Sequence, residues 1–271
     1  MSDKDNYYYV TAATGEAFIT NFAQYAVRSL IKTGVPRKNI HLAINASDNK
    51  SKVKKLIPKG IHIHTIQEDV SYVVWALSKG KRRYSLFKAA ALHKLFPEPI
   101  PNKYMIYFDG DVLWFKDPTP FFNTKNQKTW FHHGKGLDKR AKIKKEDVDI
   151  KDIQSLSQWV SEPCAELMVH YGAKVLPDRE VVAGLYLLHP RDHAKVLKLT
   201  YDGCKRNATK FRDHEGAGDQ KPMNAALSVL NTDWHGGSRF FCPEAAEYFE
   251  HYFGDAKAKE EFRTKIEELQ L

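Results

Sequence analysis

The chain has 271 residues, of which 42% are hydrophobic and 12% aromatic, and this composition excludes a wholly disordered protein. It contains no run of about 18 apolar residues that would predict a transmembrane helix. Its three cysteines, Cys164, Cys204 and Cys242, do not form the spacing of a disulfide framework or a cysteine zinc site. The net charge of +9 suits a polyanionic partner, although a lysine-rich solvated surface explains it equally well.

Strand patterns alternate with helix patterns along the first hundred residues. β-rich or alternating runs predict strands, and apolar residues at helical spacing before a glycine or proline predict helices. In chain order these are strand Tyr7–Ala13, helix Glu16–Lys32, strand Asn39–Asn45, helix Lys50–Ile57, strand Ile61–Ile66, helix Tyr84–Phe96 and strand Lys103–Phe108. This order favours an α/β fold with a mostly parallel sheet flanked by helices.

The middle of the chain has a different pattern. Residues Gln127–Arg179 are charged and weakly periodic, and we interpret them as a basic insertion or lid with a helix near Ile153–Tyr171. After it we predict strand Glu180–His189, helices Arg191–Arg206 and Lys221–Leu230, a strand or helix ending in His251–Gly254, and a polar helix to Leu271. Because no repeat or low-complexity linker divides the chain, we expect one domain over residues 1–271.

Two carboxylates, Asp109 and Asp111, directly follow the predicted strand Lys103–Phe108. Ligands of parallel sheets bind at the carboxyl ends of strands, which places these carboxylates on one rim with residues Thr11–Gly15. Carboxylates at the end of a buried strand need a cation, and hard oxygen ligands suit Mg²⁺ or Mn²⁺. Such an ion could neutralise a diphosphate leaving group. The alternative is an ordinary Asp-Gly turn.

Six segments, in this order and spacing, resemble the glycogenin-like family 8 glycosyltransferases of the metal-dependent GT-A fold. They are YYYVTAATGEAF (7–18), YSLFKAAAL (84–92), YFDGDVLWFKDPTPFF (107–122), EVVAGLYLLHP (180–190), GDQKPMNAAL (218–227) and HYFGDAK (251–257). The resemblance implies a GT-A-type, Rossmann-like mixed sheet. It also implies transfer of a sugar from a nucleotide donor, expected to be UDP-linked, to a hydroxyl acceptor with retention of configuration.

The resemblance also implies a role for each matching residue. The residues expected to bind the nucleotide sugar are Thr11, Ala12, Ala13, Phe18, Lys88, Asp109, Gly184 and Lys257. Asp219 and Gln220 are expected at the transferred sugar, as the catalytic pair. Asp109, Asp111 and His251 are expected to hold Mn²⁺ or Mg²⁺.

This chain departs from the family pattern at two of these segments. Val182 stands where the family has an asparagine, which removes one expected polar contact, and Ala258-Lys259 replaces the usual Pro-Trp. The segment Glu244–Tyr252 could also form an amphipathic helix with His251 on its surface. In that case His235 would be the alternative third metal ligand.

A second class of function is a nucleic-acid-binding protein without catalysis. Its motivation is two basic runs, Lys79 to Arg83 and Lys135 to Lys145, but no recognised nucleic-acid-binding motif accompanies them. A hybrid is a glycosyltransferase whose acceptor is a modified DNA base, held through the basic insertion. The acceptor thus stays open between a glycan and DNA. The Met1–Tyr9 segment lacks the pattern of a secretory signal, and together with the cysteine usage this favours a cytoplasmic location.

Overall fold

The computed structural model describes residues 3–67, 81–123, 128–139, 141–210, 218–237, 243–252 and 256–271. Lys79, Arg140 and Cys242 lie outside these residues, as does the end of the predicted element His251–Gly254. None of the helices in the described part of the chain is both long and apolar enough to cross a bilayer.

The described strands form two sheets. Their bounds are β1 Tyr7–Ala13, β2 Ile40–Asn45, β3 His62–Ile66, β4 Tyr104–Phe108, β5 Val112–Trp114, β6 Thr129–Gly136, β7 Arg179–Leu188, β8 Trp234–Gly237 and β9 Phe249–His251. The main sheet has seven strands in the order β3-β2-β1-β4-β7-β6-β8, and β5 pairs with β9. β7 is antiparallel to both neighbours and every other pair in the main sheet is parallel, which confirms the predicted mixed, mostly parallel sheet.

Helices connect and cover these strands. Their bounds are α1 Glu16–Phe18, α2 Gln24–Lys32, α3 Lys50–Leu56, α4 Lys81–Leu95, α5 Thr119–Asn123, α6 Ile153–Leu156, α7 Glu162–Tyr171, α8 Pro190–Lys210, α9 Gln220–Leu230 and α10 Ala256–Glu268. A π-helical turn, Ile19–Ala23, joins α1 to α2 within the predicted helix Glu16–Lys32. Outside 127–179, the predicted elements are present with ends shifted by a few residues.

The segment 127–179 differs from its prediction in two ways. Its first part is a sheet strand, because β6 pairs with both β7 and β8. The single helix predicted near Ile153–Tyr171 is two helices. The Asp152 side chain caps α6, and a second helix begins after Ser161 with Pro163 in its first turn, where a missing N–H costs nothing. That this segment covers the site as a lid stays a prediction.

Both faces of the main sheet are buried, and β1 shows this most clearly. Its residues have no exposed surface. Tyr7 and Tyr9 pack into one apolar cluster with α2, whereas Tyr8 and Val10 pack into a second cluster with α4, α8 and α9. Burial on both faces leaves the carboxyl ends of β1 and β4 as the place where polar chemistry can reach solvent.

Three imidazoles stack between β2 and β3. The His41 ring centroid lies 4.7 Å from that of His62 and 5.2 Å from that of His64. His41 Nδ1 lies 3.0 Å from His64 Nε2, within hydrogen-bonding distance. Burial, and then the neighbouring His62 and His64, lower the pKa of His41 to about 3.

We expect the folded state to lose stability as the pH falls from about 6.5 towards 3. In this range the unfolded chain binds a proton at His41 that the folded chain excludes, so stability is complete above pH 6.5 and decreases below it. His41 should contribute about 2 kcal/mol to the loss of stability between pH 7 and pH 5, as measured by urea denaturation.

His41→Phe retains an aromatic ring and should remove the contribution of His41 to this pH dependence, so the variant should lose less stability than wild type between pH 7 and pH 5. The matched control is His170→Phe, the same substitution at an exposed histidine of α7. If His41→Phe and wild type lose equal stability between pH 7 and pH 5, burial of a neutral His41 does not cause the loss of stability at low pH.

Candidate metal centre

The carboxylates of Asp109 and Asp111 lie in a tight turn between β4 and β5. The turn is closed by a hydrogen bond of 3.1 Å from the Val112 amide to the Asp109 carbonyl. Gly110 lies directly against the Phe18 ring, where a Cβ would be 2.7 Å from Phe18 Cε1. The glycine therefore permits Phe18 to pack over the turn between the two carboxylates.

His251 reaches these carboxylates through the small second sheet. β9 pairs antiparallel to β5, with His251 opposite Val112, and the Tyr252 amide donates to the Asp111 carbonyl at 3.0 Å. His251 Nε2 lies 3.1 Å from Asp111 Oδ1 and 3.8 Å from Asp109 Oδ2. Burial lowers the pKa of His251, but the two carboxylates outweigh burial and the net change is a rise.

Asp109, Asp111 and His251 can together hold a metal ion. Each offers one ligand atom, and these atoms lie within 4.8 Å of one another. Two carboxylates and one imidazole form a donor set that suits Mn²⁺ or Mg²⁺. Within the described ranges, His235 does not join this group. It lies in β8, opposite Trp130, so His235 is not supported as the alternative third ligand. The interpretation of Glu244–Tyr252 as a surface helix is wrong, because Phe249–His251 is the strand β9.

A buried lysine connects the metal centre to α9. Lys88 of α4 is 2% exposed, and its Nζ lies 3.1 Å from Asp109 Oδ1 and 2.7 Å from Asp219 Oδ2. It also donates to the Ala183 carbonyl. Burial disfavours the ammonium, but Asp109 and Asp219 more than offset this, so the pKa of Lys88 is raised.

Asp219 is the residue immediately before α9. Burial raises the pKa of Asp219, and the Lys88 ammonium opposes that rise. When ionised, Asp109, Asp111 and Asp219 carry three negative charges against the single positive charge of Lys88. Two negative charges therefore remain, and one divalent cation would neutralise them.

An irregularity in the pairing of β7 with β6 lies at residues 183–185, which contact the metal centre. Phe131 of β6 pairs with Tyr186 but the next residue pairs with Val182, so residues 183–185 have no partners on β6. The Gly184 carbonyl accepts from the Asp109 amide at 2.7 Å. A Cβ on Gly184 would overlap the imidazole of His251. Gly184 therefore contributes by its lack of a side chain, a role that the sequence analysis did not foresee.

Tyr107 is a site residue that the sequence analysis missed. Its hydroxyl donates to Asp109 Oδ1 at 2.6 Å, and its ring lies 4.4 Å below the Lys88 ammonium. The ring stacks on Tyr186 with centroids 5.0 Å apart. The sequence contains a pattern that could have predicted this contact. Residues two apart in a strand share a face, and Tyr107 precedes Asp109 by two residues.

The remaining predicted residues lie in β1, against the Gly110 turn, and at the starts of α9 and α10. Thr11, Ala12 and Ala13 are fully buried in β1, and Phe18 stacks on Phe22 with centroids 5.4 Å apart. Gln220 begins α9 beside Asp219. The Lys257 side chain is 84% exposed and its ammonium lies 3.7 Å from Glu261 of the same helix. The contacts predicted between these residues and a nucleotide sugar stay predictions.

Comparison with known proteins identifies the fold. No protein-family model matches the chain, and neither does any curated protein sequence. A galactosyltransferase, LgtC, solved with donor and acceptor sugar analogues, superposes with a TM-score of 0.53 at 15% identity over 94% of each chain. Mouse xyloside xylosyltransferase 1 in its apo form gives a TM-score of 0.45 at 14% identity over 86% of this chain and 85% of that one. The first likeness confirms the expected GT-A-type fold, whereas membership of family 8 stays a prediction.

Lys88→Met should lower the free energy of unfolding by about 3 kcal/mol, because it leaves the partly buried Asp109 and Asp219 carboxylates without their cation. Urea denaturation measures this loss. The matched control is Lys116→Met, which breaks an exposed surface pair with Glu247 and should change the free energy of unfolding far less. Equal losses in the two variants would mean that the carboxylates do not depend on Lys88.

Gly184→Ala should weaken Mn²⁺ binding by about 10-fold or more, because the added methyl group displaces the His251 ring. Isothermal titration with Mn²⁺ measures the affinity, and thermal unfolding checks that the variant folds. His251→Ala removes the clash, so adding Gly184→Ala to it should cause no further loss. A further 10-fold loss in the double variant would contradict this mechanism.

Proposed function

We propose that this protein is a metal-dependent glycosyltransferase that moves a sugar from a nucleoside diphosphate donor to an acceptor hydroxyl. The observation that carries the proposal is the group formed by Asp109, Asp111 and His251 beside the buried Lys88–Asp219 pair. The fold shared with LgtC, which was solved with donor and acceptor sugar analogues, supports it. The six sequence segments support it independently and suggest UDP as the nucleotide.

The chemistry requires stabilisation of a leaving group more than it requires a strong acid. Departure of a nucleoside diphosphate from the anomeric carbon places negative charge on phosphate oxygens. Asp109, Asp111 and His251 would hold Mn²⁺ or Mg²⁺, which supplies charge neutralisation at those oxygens when bound. His251 must be neutral to act as a ligand, although its carboxylate neighbours favour its protonated form.

The other residues orient this centre and the donor. Lys88 fixes the carboxylates of Asp109 and Asp219 relative to each other, and Tyr107 fixes the same Asp109 oxygen. In the proposed complex, Asp219 and Gln220 border the transferred sugar, and Phe18 with the end of β1 borders the nucleotide. Retention of configuration rests on the resemblance alone, and the resemblance leaves a hexose and a pentose equally open.

For the acceptor we propose a glycan rather than DNA. The basic run from Lys135 to Lys145 would have to contact the DNA phosphates. The last lysine of this run, Lys145, already pairs with Asp178 at 2.5 Å, so the run has one positive charge fewer to offer to DNA. A dependence of nucleic-acid affinity on salt concentration would favour the DNA-binding alternative. The cytoplasmic location stays a prediction.

Asp111→Asn should reduce metal-dependent donor hydrolysis by about 100-fold or more, because it removes an anionic ligand while preserving the size of the side chain. The measurement is release of nucleoside diphosphate from UDP-, GDP- and ADP-sugars with Mn²⁺, with and without a chelator. The control Asp202→Asn lies on α8 in a surface pair with Lys198 and should retain wild-type activity.

Thermal unfolding should give nearly equal midpoints for Asp111→Asn and wild type, which separates loss of chemistry from loss of fold. Wild-type hydrolysis that resists the chelator, or full activity in Asp111→Asn, would contradict the proposed metal centre.

A further inference from the structure

Asp48 lies in the turn after β2 and uses both carboxylate oxygens to hold backbone amides. Its Oδ1 accepts from the Gly15 amide at 2.9 Å, and its Oδ2 accepts from the Asn45 amide at 3.0 Å. Gly15 follows β1 and Asn45 ends β2, and these two strands are adjacent and parallel. Hydrogen bonds to a carboxylate are stronger than those between neutral groups. One side chain therefore links the carboxyl ends of two strands at the rim of the sheet.

The turn that carries Asp48 is fixed by contacts of its own. The Asp48 amide donates to the Asn45 carbonyl at 3.0 Å, and the Asn45 side chain accepts from the Ser47 amide at 3.1 Å. The Ala46 amide donates to the Ile66 carbonyl of β3 at 2.9 Å. Because the turn is tied to both β2 and β3, its carboxylate is a fixed anchor for the loop that follows β1.

The anchored residue, Gly15, determines where α1 begins. Its carbonyl accepts from the amides of Phe18 and Ile19, each at 3.1 Å. Ile19 is fully buried in the apolar cluster that contains α2, whereas the Phe18 ring lies against Gly110. The bond from Gly15 to Asp48 therefore helps to set the position of the Phe18 ring over the turn between the two metal-binding carboxylates.

A second contact joins the same two regions, and it is weaker. Lys52 of α3 pairs with Glu16, the first residue of α1, at 3.1 Å. Both side chains are more than half exposed, and ion pairs of this kind contribute little to stability. The carboxylate of Asp48 is therefore the stronger of these two links between the region after β2 and the start of α1.

We infer that Asp48 is a positioning residue for the nucleotide of the donor. The inference rests on the proposed function, in which Phe18 and the end of β1 border that nucleotide. Both oxygens of Asp48 accept from backbone amides, so Asp48 acts on the chain rather than on the ligand. The metal centre has separate supports, because Lys88 and Tyr107 both donate to Asp109. Loss of Asp48 should therefore weaken nucleotide binding without weakening the binding of Mn²⁺ alone.

Isothermal titration of the purified protein tests this expectation. UDP, GDP and ADP are each titrated into wild type with saturating Mn²⁺, and the tightest of the three is then titrated into the variants. Asp48→Ala should weaken nucleotide binding by about 10-fold or more, because the loop that borders the nucleotide is no longer held in place before binding. Its affinity for Mn²⁺ alone should stay within about twofold of wild type. Asp48→Asn keeps one acceptor oxygen and should weaken nucleotide binding less than Asp48→Ala.

The matched control is Asn49→Ala, one residue further along the chain. The Asn49 side chain also accepts from two backbone amides, those of Ser51 and Lys52, each at 3.1 Å. Both of these amides belong to α3, which Asn49 caps, so this substitution removes two similar bonds without releasing the loop after β1. Asn49→Ala should bind the nucleotide within about twofold of wild type. Thermal unfolding checks that each variant folds.

Donor hydrolysis with Mn²⁺ separates a positioning role from a general loss of structure. Asp48→Ala should raise the KM for the donor about 10-fold and leave kcat within about twofold, because the nucleotide is bound alike in the ground state and in the transition state. A general loss of structure would instead lower kcat. A lower kcat with an unchanged KM would contradict the positioning role.

The same measurements distinguish failure of this inference from failure of the proposed function. If wild type binds a nucleoside diphosphate and hydrolyses donor, but Asp48→Ala binds the nucleotide as wild type does, the positioning role is wrong and the proposed function stands. Equal weakening in Asp48→Ala and Asn49→Ala has the same meaning. If wild type neither binds a nucleoside diphosphate nor hydrolyses donor, the proposed function is wrong and the positioning role is wrong with it.

Discussion

The ion pairs of Lys88 are the interaction on which the arrangement of this site depends. An ammonium that is 2% exposed is stable only with close anionic partners, and Asp109 and Asp219 provide them. These three residues come from α4, the end of β4 and the start of α9, which are far apart in the sequence. One buried charge therefore fixes where three separate elements meet, and removing it would leave like charges facing each other. Ala183 adds a backbone carbonyl, so the same lysine also anchors β7.

The second sheet, β5 with β9, brings His251 from a distant part of the chain to the carboxylates of Asp109 and Asp111. Pairing of β9 with β5 places His251 opposite Val112, one residue after Asp111. The C-terminal helix supports this pairing, because Phe262 of α10 packs against Tyr252 with ring centroids 5.5 Å apart. Phe262 also contacts Phe22, which stacks on Phe18 over the Gly110 turn. The end of the chain thus supports both sides of the metal centre.

Local patterns predicted the parts of this site that local chemistry determines. The strand β1 and the Asp109–Asp111 pair follow from an apolar run and a two-residue spacing, and both are present as expected. The choice of His251 could not be made this way, because Glu244–Tyr252 also fits a helical period and only non-local pairing with β5 makes it a strand. Strand β6 was missed for a related reason. Its sequence, TWFHHGKG, has little apolar periodicity, and its position is determined by its neighbours β7 and β8.

The departure at Val182 acquires a physical meaning from the geometry of β7. The residues that contact the metal centre from this strand are Ala183 and Gly184, and both act through backbone carbonyls. Gly184 acts additionally through the absence of a Cβ, which makes room for His251. None of these contributions depends on the side chain at position 182, so the metal centre tolerates valine there. The polar contact to the donor sugar or acceptor that the resemblance implies for an asparagine at this position stays a prediction, and it is separate from the backbone contacts that position Asp109, Lys88 and His251.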